Sequence, residues 1–217
     1  MTALYEKFRP CTWEQVVGQS EAVRVCKGLA LAGLGGRAVA FQGSSGVGKS
    51  TLARLLASEI ADPMNVVEVD AQWLTPTRIA DLEGSLCMYG LGVKTGRVVI
   101  CNEYHALSRE SVQQFLTTLE RIPSHAAWLF TCTNDGAQTL MENIADATPF
   151  GSRCLTIKLA QRGLGLADAF PAMVRANMGS IGMDGHPIDW YVRLAKDCRN
   201  NARMMYERAE YAALAGD

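Results

Sequence analysis

The segment with the clearest chemical capacity runs from Gly43 to Ser50 and matches the pattern G-x-x-x-x-G-K-[ST]. Its glycines allow backbone N–H groups to wrap phosphate oxygens at a helix N-terminus. Lys49 is suited to neutralise β- and γ-phosphate charge, and the Ser50 hydroxyl is suited to bind Mg²⁺. The pattern therefore predicts a site for ATP or ADP with Mg²⁺. The predicted nucleotide-contacting residues of this segment are Gly43, Ser44, Ser45, Gly46, Val47, Gly48, Lys49, Ser50 and Thr51.

Asn102 and Glu103 follow an apolar run that is typical of a buried strand. A phosphate-binding loop needs an acidic side chain at the end of a neighbouring strand, and Asn102 stands where Asp is usual. Its amide oxygen is neutral, so we predict that Ser50 and Asn102 support the metal weakly and that hydrolysis is slowed or lost. Glu103 is the candidate for orienting the attacking water. From these residues alone, Asn102→Asp is expected to raise turnover.

Asn134 follows a second apolar run that ends at Thr133. Ligands of open α/β sheets lie at the carboxyl ends of strands, where its amide could reach the attacking water. Asn134-Asp135-Gly136 is equally typical of a simple turn. The spacing favours neither interpretation.

Short β-rich runs alternate with helical patterns in the first part of the chain, which predicts a five-stranded parallel sheet flanked by helices, an α/β fold. The predicted helices beside it are Lys49–Ile60 and Ser108–Arg121, with Ser108 as an N-cap. After Leu159 the pattern is helical only, so we predict a nucleotide-binding domain over 1–159 and a small helical domain over 160–217. The predicted strands are Ala38–Gln42, Val66–Asp70, Arg97–Asn102, Ala127–Thr133 and Leu155–Lys158, and the later helices are Leu164–Met178, Pro187–Asp197 and Asn201–Leu214, with a turn over Gly179–Gly185.

The composition is that of a globular protein with little net charge. Among 217 residues, 48% are hydrophobic, and 21 Lys and Arg face 22 Asp and Glu. Any contact with nucleic acid must therefore be local, because no strong field attracts a polyanion. Most of the seven cysteines lie in apolar runs, which predicts buried, reduced thiols. With no apolar signal segment or membrane-spanning run, we expect a cytoplasmic protein without membrane contact.

Taken together, these motifs resemble the AAA+ ATPases of sliding-clamp loaders, namely the bacterial gamma/tau subunit and the small subunits of replication factor C. The opening Leu4–Pro10 and Val16–Gln19 look like the family's N-terminal signature, Asn102–Ser108 is similar to its second acidic motif, and Thr133-Asn134 falls at its sensor-one position. Ser152-Arg153-Cys154 is the family's most diagnostic triplet. The family continues into a helical collar domain, which this sequence is expected to lack.

The resemblance implies roles for residues that the chemistry alone does not single out. Arg9, Pro10 and Val17 would wrap the adenine base, Arg153 would reach into a neighbouring subunit's ATP site, and Arg203 would report the nucleotide state. The implied partners are other AAA+ subunits, a sliding clamp and primer-template DNA. Candidate DNA contacts at helix starts are Thr77, Arg78, Ser108 and Arg109.

The sequence thus predicts an ATP-binding, clamp-loader-like subunit or accessory factor in DNA replication. It leaves open whether ATP is hydrolysed. One alternative is a non-hydrolysing adaptor or regulator within another AAA+ assembly, which Asn102 favours. Another is a helicase-loader or transposition-type ATPase, against which Ser152-Arg153-Cys154 and the N-terminal signature argue.

Overall fold

A parallel sheet forms the centre of the larger part of the protein, in a computed structural model that describes residues 2–133, 147–160, 166–183 and 185–215. Five strands of the described residues lie in the order β2-β3-β4-β1-β5, and every pair is parallel. The predicted α/β class is confirmed, and each predicted strand is present to within one residue. The strands are β1 Arg37–Gly43, β2 Val66–Asp70, β3 Arg97–Asn102, β4 Ala126–Thr133 and β5 Leu155–Lys158.

Helices cover both faces of this sheet and make up the C-terminal part. Three of them, α1, α2 and α6, are absent from the sequence-based prediction. The start of α4 agrees with the predicted helix start at Thr77 and Arg78, and Thr75 caps it by accepting a hydrogen bond from the Arg78 backbone N–H. The helix preceding the predicted Gly179–Gly185 turn extends to Ser180, so the turn begins later than predicted, with Gly182 at φ 72°. The helices are α1 Leu4–Lys7, α2 Ser20–Ala32, α3 Lys49–Ile60, α4 Pro76–Leu86, α5 Arg109–Thr118, α6 Ala147–Arg153, α7 Leu166–Ser180, α8 Ile188–Asp197 and α9 Ala202–Ala215.

The strand order brings the functional motifs to one edge of the sheet. β1 ends at Gly43 beside Thr133 of β4, and β3 ends at Asn102 beside Asp70 of β2. Because the strands are parallel, all their carboxyl ends meet at this edge. The phosphate-binding segment and the polar ends of β3 and β4 therefore face the same space.

A hydrophobic core separate from those of the sheet joins the N-terminal segment to the C-terminal helices. Leu4 is buried among side chains of α7, α8 and α9, and the Phe8 ring stacks on Tyr206 at 5.8 Å between centroids. The first residues of the chain thus pack on its last helices, beside the phosphate-binding segment. Within the described residues, no helix is long and apolar enough to span a bilayer.

Phe115 lies at the centre of an aromatic cluster between α5, α6 and the sheet. Its fully buried ring contacts Trp128, Phe130 and Phe150, with centroids 5.0, 5.3 and 5.9 Å away. We expect Phe115→Ala to lower the free energy of unfolding by about 3–5 kcal/mol, because it removes the buried surface and leaves a cavity. Urea denaturation measures this loss. Leu31→Ala, at a side chain that is 90% exposed, is the control and should change stability little.

The thiols divide into two exposed and five buried groups, all free. Cys11 and Cys87 are exposed, so the prediction of buried thiols is wrong for these two. Burial raises the pKa of Cys26 and Cys154 to about 12 and that of Cys132 to about 11. Thiolates, the reactive form, are therefore scarce inside the fold.

A thiol-reactive dye should accordingly label two cysteines of the native protein rapidly. Full labelling of all seven is expected only after denaturation. Cys11→Ser and Cys87→Ser together should remove the fast phase. Rapid labelling of a third site in the native state would contradict the packing described here.

Candidate functional site

The segment Gly43–Ser50 forms a loop between the end of β1 and the start of α3. Gly46 and Gly48 have φ angles of 72° and 107°, a left-handed backbone region that favours glycine. Gly48 is the N-cap residue of α3, so Lys49, Ser50 and Thr51 form the first turn. The N–H groups of a first helical turn have no intrahelical partners and attract anions. The loop therefore has the backbone geometry of a phosphate site.

The Lys49 side chain is 6% exposed and folds back over the loop. Its ammonium donates to the carbonyl oxygens of Gly43 and Ser44 at 3.0 and 2.8 Å and to the Thr133 hydroxyl at 3.0 Å. These contacts hold the charge at the carboxyl ends of β1 and β4. The positive charge is thus pre-positioned beside the loop.

The C-terminal helices contact the loop through Gly46. The backbone N–H of Ala202, the first residue of α9, donates to the Gly46 carbonyl at 3.2 Å. A Cβ atom at Gly46 would lie 1.9 Å from the Asn201 amide oxygen, so only glycine fits there. The loop conformation and the position of α9 are therefore linked.

Asn102 lies next to Ser50 at the carboxyl end of β3. Its amide oxygen accepts hydrogen bonds from the hydroxyls of Ser50 and Thr131, at 3.3 and 3.0 Å. Its amide nitrogen donates to the Glu68 carboxylate at 2.8 Å. Burial raises the pKa of Glu68, but hydrogen bonds from Arg54 and Asn102 outweigh this and hold the pKa below its usual range. Glu68 is therefore a carboxylate at neutral pH.

Glu103 occupies the left-handed region, with φ 53° and ψ 51°, which is unusual for a residue other than glycine. Its two carboxylate oxygens accept from the Thr133 hydroxyl at 2.8 Å and from the Thr133 backbone N–H at 3.0 Å. Such strained conformations concentrate at functional sites, where the surrounding structure enforces them. Thr133 thus contacts both Lys49 and Glu103, a link that the sequence analysis missed.

A cleft opens in front of the loop, between the N-terminal segment, α3 and the C-terminal helices. Arg9 connects two of these walls, because its guanidinium hydrogen-bonds Glu6 and donates to the Thr51 hydroxyl at 3.3 Å. The Arg203 guanidinium lies over the Tyr5 ring at 5.0 Å, a cation–π contact. The residues lining the cleft are Tyr5, Phe8, Arg9, Pro10, Val16, Val17, Ser45, Gly46, Val47, Gly48, Lys49, Ser50, Thr51, Glu103, Phe170, Met173, Ala202, Arg203 and Tyr206.

Most of the predicted nucleotide residues come together in this cleft. Gly43 and Ser44 do not line it; their carbonyls lie behind it and bind Lys49. The sequence analysis missed the aromatic and apolar lining from Tyr5, Phe8, Phe170, Met173 and Tyr206. The spacing of these five residues does not predict a common site, because they come from both ends of the chain.

The donor set of the cleft fits a nucleotide and Mg²⁺. Apolar and aromatic side chains at one end suit a base, while the loop amides and Lys49 at the other suit phosphates. The Ser50 hydroxyl and the Asn102 amide oxygen are adjacent and supply the oxygen ligands that Mg²⁺ prefers, although neither carries a charge. Most of the negative charge that balances Mg²⁺ must then come from the phosphates themselves.

Arg153 is the last residue of α6 and lies outside the cleft of its own chain. Its guanidinium donates to the Glu120 carboxylate, at 3.1 Å from Nε, and to the Pro149 carbonyl at 2.9 Å. About a third of its side chain is exposed, so it can be reached from outside the molecule. Asn134, another predicted catalytic residue, lies outside the described residues.

The DNA-contact candidates lie at two neighbouring helix starts. Thr77 and Arg78 belong to the first turn of α4, and Ser108 caps α5 by accepting from the Ser111 N–H at 3.2 Å before Arg109 begins the helix. The Ser111 hydroxyl donates to the Leu74 carbonyl at 2.5 Å, which joins the two N-termini. The fold thus brings together two groups that lie apart in the sequence.

Comparison with known proteins identifies a family and several relatives. The model of the AAA family, "ATPase family associated with various cellular activities", matches residues 39–159. The DNA polymerase III subunit tau of Salmonella typhimurium is 32% identical over 156 residues, covering 60% of this chain and 24% of that protein. The DNA polymerase III subunit gamma of Buchnera aphidicola is 28% identical over 181 residues, covering 72% and 47%. This chain therefore spans about a quarter to about half the length of these relatives.

Solved structures share the fold at low sequence identity. A RuvB variant from Thermotoga maritima superposes with a TM-score of 0.70 at 17% identity, over 94% of this chain and 64% of that one. A DNA polymerase III gamma-subunit-related protein from the same organism gives a TM-score of 0.53 at 14% identity, over 81% and 56%. At such identities the likeness establishes the fold alone.

Proposed function

Since this chain belongs to the AAA family of ATPases, we propose that it binds ATP with Mg²⁺ and acts as a clamp-loader-like subunit in DNA replication. The observation that carries this proposal is the cleft itself. A phosphate-binding loop, a buried lysine and an aromatic wall face one another across it. The sliding-clamp loader resemblance of the sequence and the gamma and tau relatives support the replication role.

Each wall of the cleft has a separate task in this proposal. Arg9, Pro10 and Val17, with Tyr5 and Phe8, enclose the base, and the loop amides and Lys49 bind the phosphates. Ser50 and Asn102 would hold Mg²⁺, which neutralises phosphate charge. Glu103 would orient the attacking water once its carboxylate leaves Thr133. Arg203, which lines the cleft at the start of α9, would contact the phosphates, so that the C-terminal helices would respond to bound nucleotide.

The assembly part of the proposal depends on Arg153. An arginine at the rim of one subunit can stabilise the charge that develops at the γ-phosphate in a neighbouring site. The exposed position at the end of α6 suits this role. The proposed partners are further AAA subunits, a sliding clamp and primer-template DNA in the cytoplasm. The paired starts of α4 and α5 supply N–H groups for DNA phosphates.

A second candidate, a non-hydrolysing adaptor that binds ATP as a structural ligand, is favoured by the Asn102 and Glu103 geometry. Asn102 brings no charge to the metal, and both oxygens of Glu103 are engaged by Thr133. Such a site binds nucleotide without preparing water for attack. Nucleotide would then control only contacts between subunits.

Two measurements distinguish these functions. Binding of a fluorescent ATP analogue with Mg²⁺ tests whether the cleft is a nucleotide site. Steady-state ATP hydrolysis, measured against protein concentration with and without primed DNA and a sliding clamp, tests whether the assembled protein hydrolyses ATP. Turnover that rises more than linearly with concentration and increases with DNA supports the clamp-loader-like subunit. Tight binding without turnover under every condition supports the adaptor, and absence of binding would contradict both.

A further inference from the structure

We infer that Glu68 is a positioning residue, which orients the Asn102 amide so that its oxygen faces Ser50 and the nucleotide-bound Mg²⁺. This inference deepens the proposed function and rests on it. It concerns the middle residue of β2, which does not line the cleft. The sequence analysis assigned no role to Glu68.

The two sides of the Asn102 amide have different partners. Its nitrogen donates to Glu68 Oε1 at 2.8 Å, and its oxygen accepts from the hydroxyls of Ser50 and Thr131. A carboxylate can only accept hydrogen bonds, whereas a hydroxyl can both donate and accept. Ser50 and Thr131 alone would therefore tolerate either orientation of the amide. Glu68 is the partner that excludes the orientation with the nitrogen toward Ser50.

Glu68 is itself held in place. Arg54, on α3, donates to both of its oxygens, at 2.7 Å from Nε and 3.2 Å from Nη2. Arg54 also lies 3.7 Å from Glu6 in the N-terminal segment. β2 and β3 are adjacent parallel strands in which Glu68 lies opposite Ile100 and Asp70 lies opposite Asn102. This register places Glu68 close to the end of β3. A two-point contact of this kind fixes the carboxylate plane.

The orientation matters because a metal accepts only one end of the amide. An amide oxygen is a suitable Mg²⁺ ligand, whereas the amide nitrogen carries hydrogens and no available lone pair. An Asp side chain presents oxygens in either orientation and needs no such partner. The substitution of Asn for Asp therefore makes a second residue necessary.

The same contact changes what is expected of Asn102→Asp. An Asp carboxylate at this position would lie against Glu68 where a hydrogen bond of 2.8 Å now exists, so two acceptors with like charge would face each other. Asn102→Asp alone should therefore strengthen Mg²⁺ binding little. In the double variant Asn102→Asp/Glu68→Gln, one carboxylate again faces one amide, and the amide that donates the hydrogen bond is then at position 68.

The test is the factor by which Mg²⁺ strengthens binding of a fluorescent ATP analogue, measured as the ratio of Kd in EDTA to Kd in Mg²⁺. Glu68→Ala should lower this ratio by about tenfold, the usual scale for losing a partner of a metal ligand. Its Kd in EDTA should stay near that of the wild type, because the loop and Lys49 are untouched. Glu14→Ala, which removes a surface ion pair with Lys27, is the matched control and should leave the ratio unchanged.

The double variant separates orientation from a general structural effect. Asn102→Asp/Glu68→Gln should recover the wild-type ratio or exceed it, and Asn102→Asp alone should not. Damage to the fold would not be repaired by a second substitution of this kind. A wild-type ratio in Glu68→Ala, or a double variant no better than Asn102→Asp, would overturn the inference while the wild type still binds. Failure of the wild type itself to bind ATP would overturn the proposed function, and the inference with it.

Discussion

Lys49→Ala is expected to weaken ATP binding by about a hundredfold. Hydrogen bonds to charged groups are worth about 1.5–3 kcal/mol each, and an ammonium shared between β- and γ-phosphates loses about two of them. Since about 1.4 kcal/mol is a tenfold change in affinity, the loss is on the order of 3 kcal/mol. The buried position of Lys49 on the Gly43 and Ser44 carbonyls means that no solvent-mobile cation can replace it.

Titration calorimetry with ATP and Mg²⁺ measures the affinity directly. Thermal unfolding provides a second readout, because a given ATP concentration should raise the Tm of Lys49→Ala less than that of the wild type. Lys27→Ala is the control: its side chain is half exposed and pairs with Glu14 at the surface, so it should bind ATP normally. Equal affinities of Lys49→Ala and the wild type would mean that ATP does not occupy the loop.

Arg153→Ala is expected to lower ATP turnover in the assembled state by about a thousandfold or more, the range of an arginine that stabilises transferring phosphoryl charge. ATP affinity of the isolated chain should not change, because Arg153 lies outside its own cleft. Stability should change little, since its partners are a partly exposed Glu120 and one backbone carbonyl. Steady-state hydrolysis at several protein concentrations, with primed DNA, measures the effect.

A mixing experiment tests whether the arginine acts on a neighbouring subunit. Arg153→Ala chains bind ATP but lack the arginine, and Lys49→Ala chains keep the arginine but bind ATP poorly. An equimolar mixture should therefore turn over ATP faster than either variant alone. Arg24→Ala, at a side chain that is 78% exposed, is the control. Turnover that is linear in concentration and insensitive to Arg153→Ala would contradict a shared site.

The phosphate-binding loop and the strands around it could be predicted because their signals are local. β1 and β3 are nearly continuous apolar runs, as expected of strands buried on both faces, and the loop has a fixed pattern between strand and helix. For α4, Thr77 and Arg78 were predicted to lie at a helix start, and Pro76 after the Thr75 cap agrees with this. Its extent was not predicted, although Ile79, Leu82 and Leu86 lie on one face.

The aromatic lining of the cleft could not be predicted in this way. Tyr5 and Phe8 meet Phe170 and Tyr206 because the N-terminal segment packs into the core of the C-terminal helices. A residue pattern within a short stretch of sequence cannot predict a contact between the two ends of a chain. The N-terminal signature indicated Arg9, Pro10 and Val17 only through resemblance to a family.

The sequence by itself determined that this protein has a phosphate-binding loop, an α/β sheet around it and an amide where a metal-supporting carboxylate is usual. Only the tertiary structure decided which side chains surround that amide and that lysine: Glu68 and Thr131 for Asn102, and Thr133 for both Lys49 and Glu103. The physical reason is strand order. β4 lies between β3 and β1, and β2 lies beside β3, so residues far apart in sequence become hydrogen-bonding neighbours at one edge of the sheet. Spacing along the chain fixes where strands begin and end, but long-range packing selects which of them are adjacent.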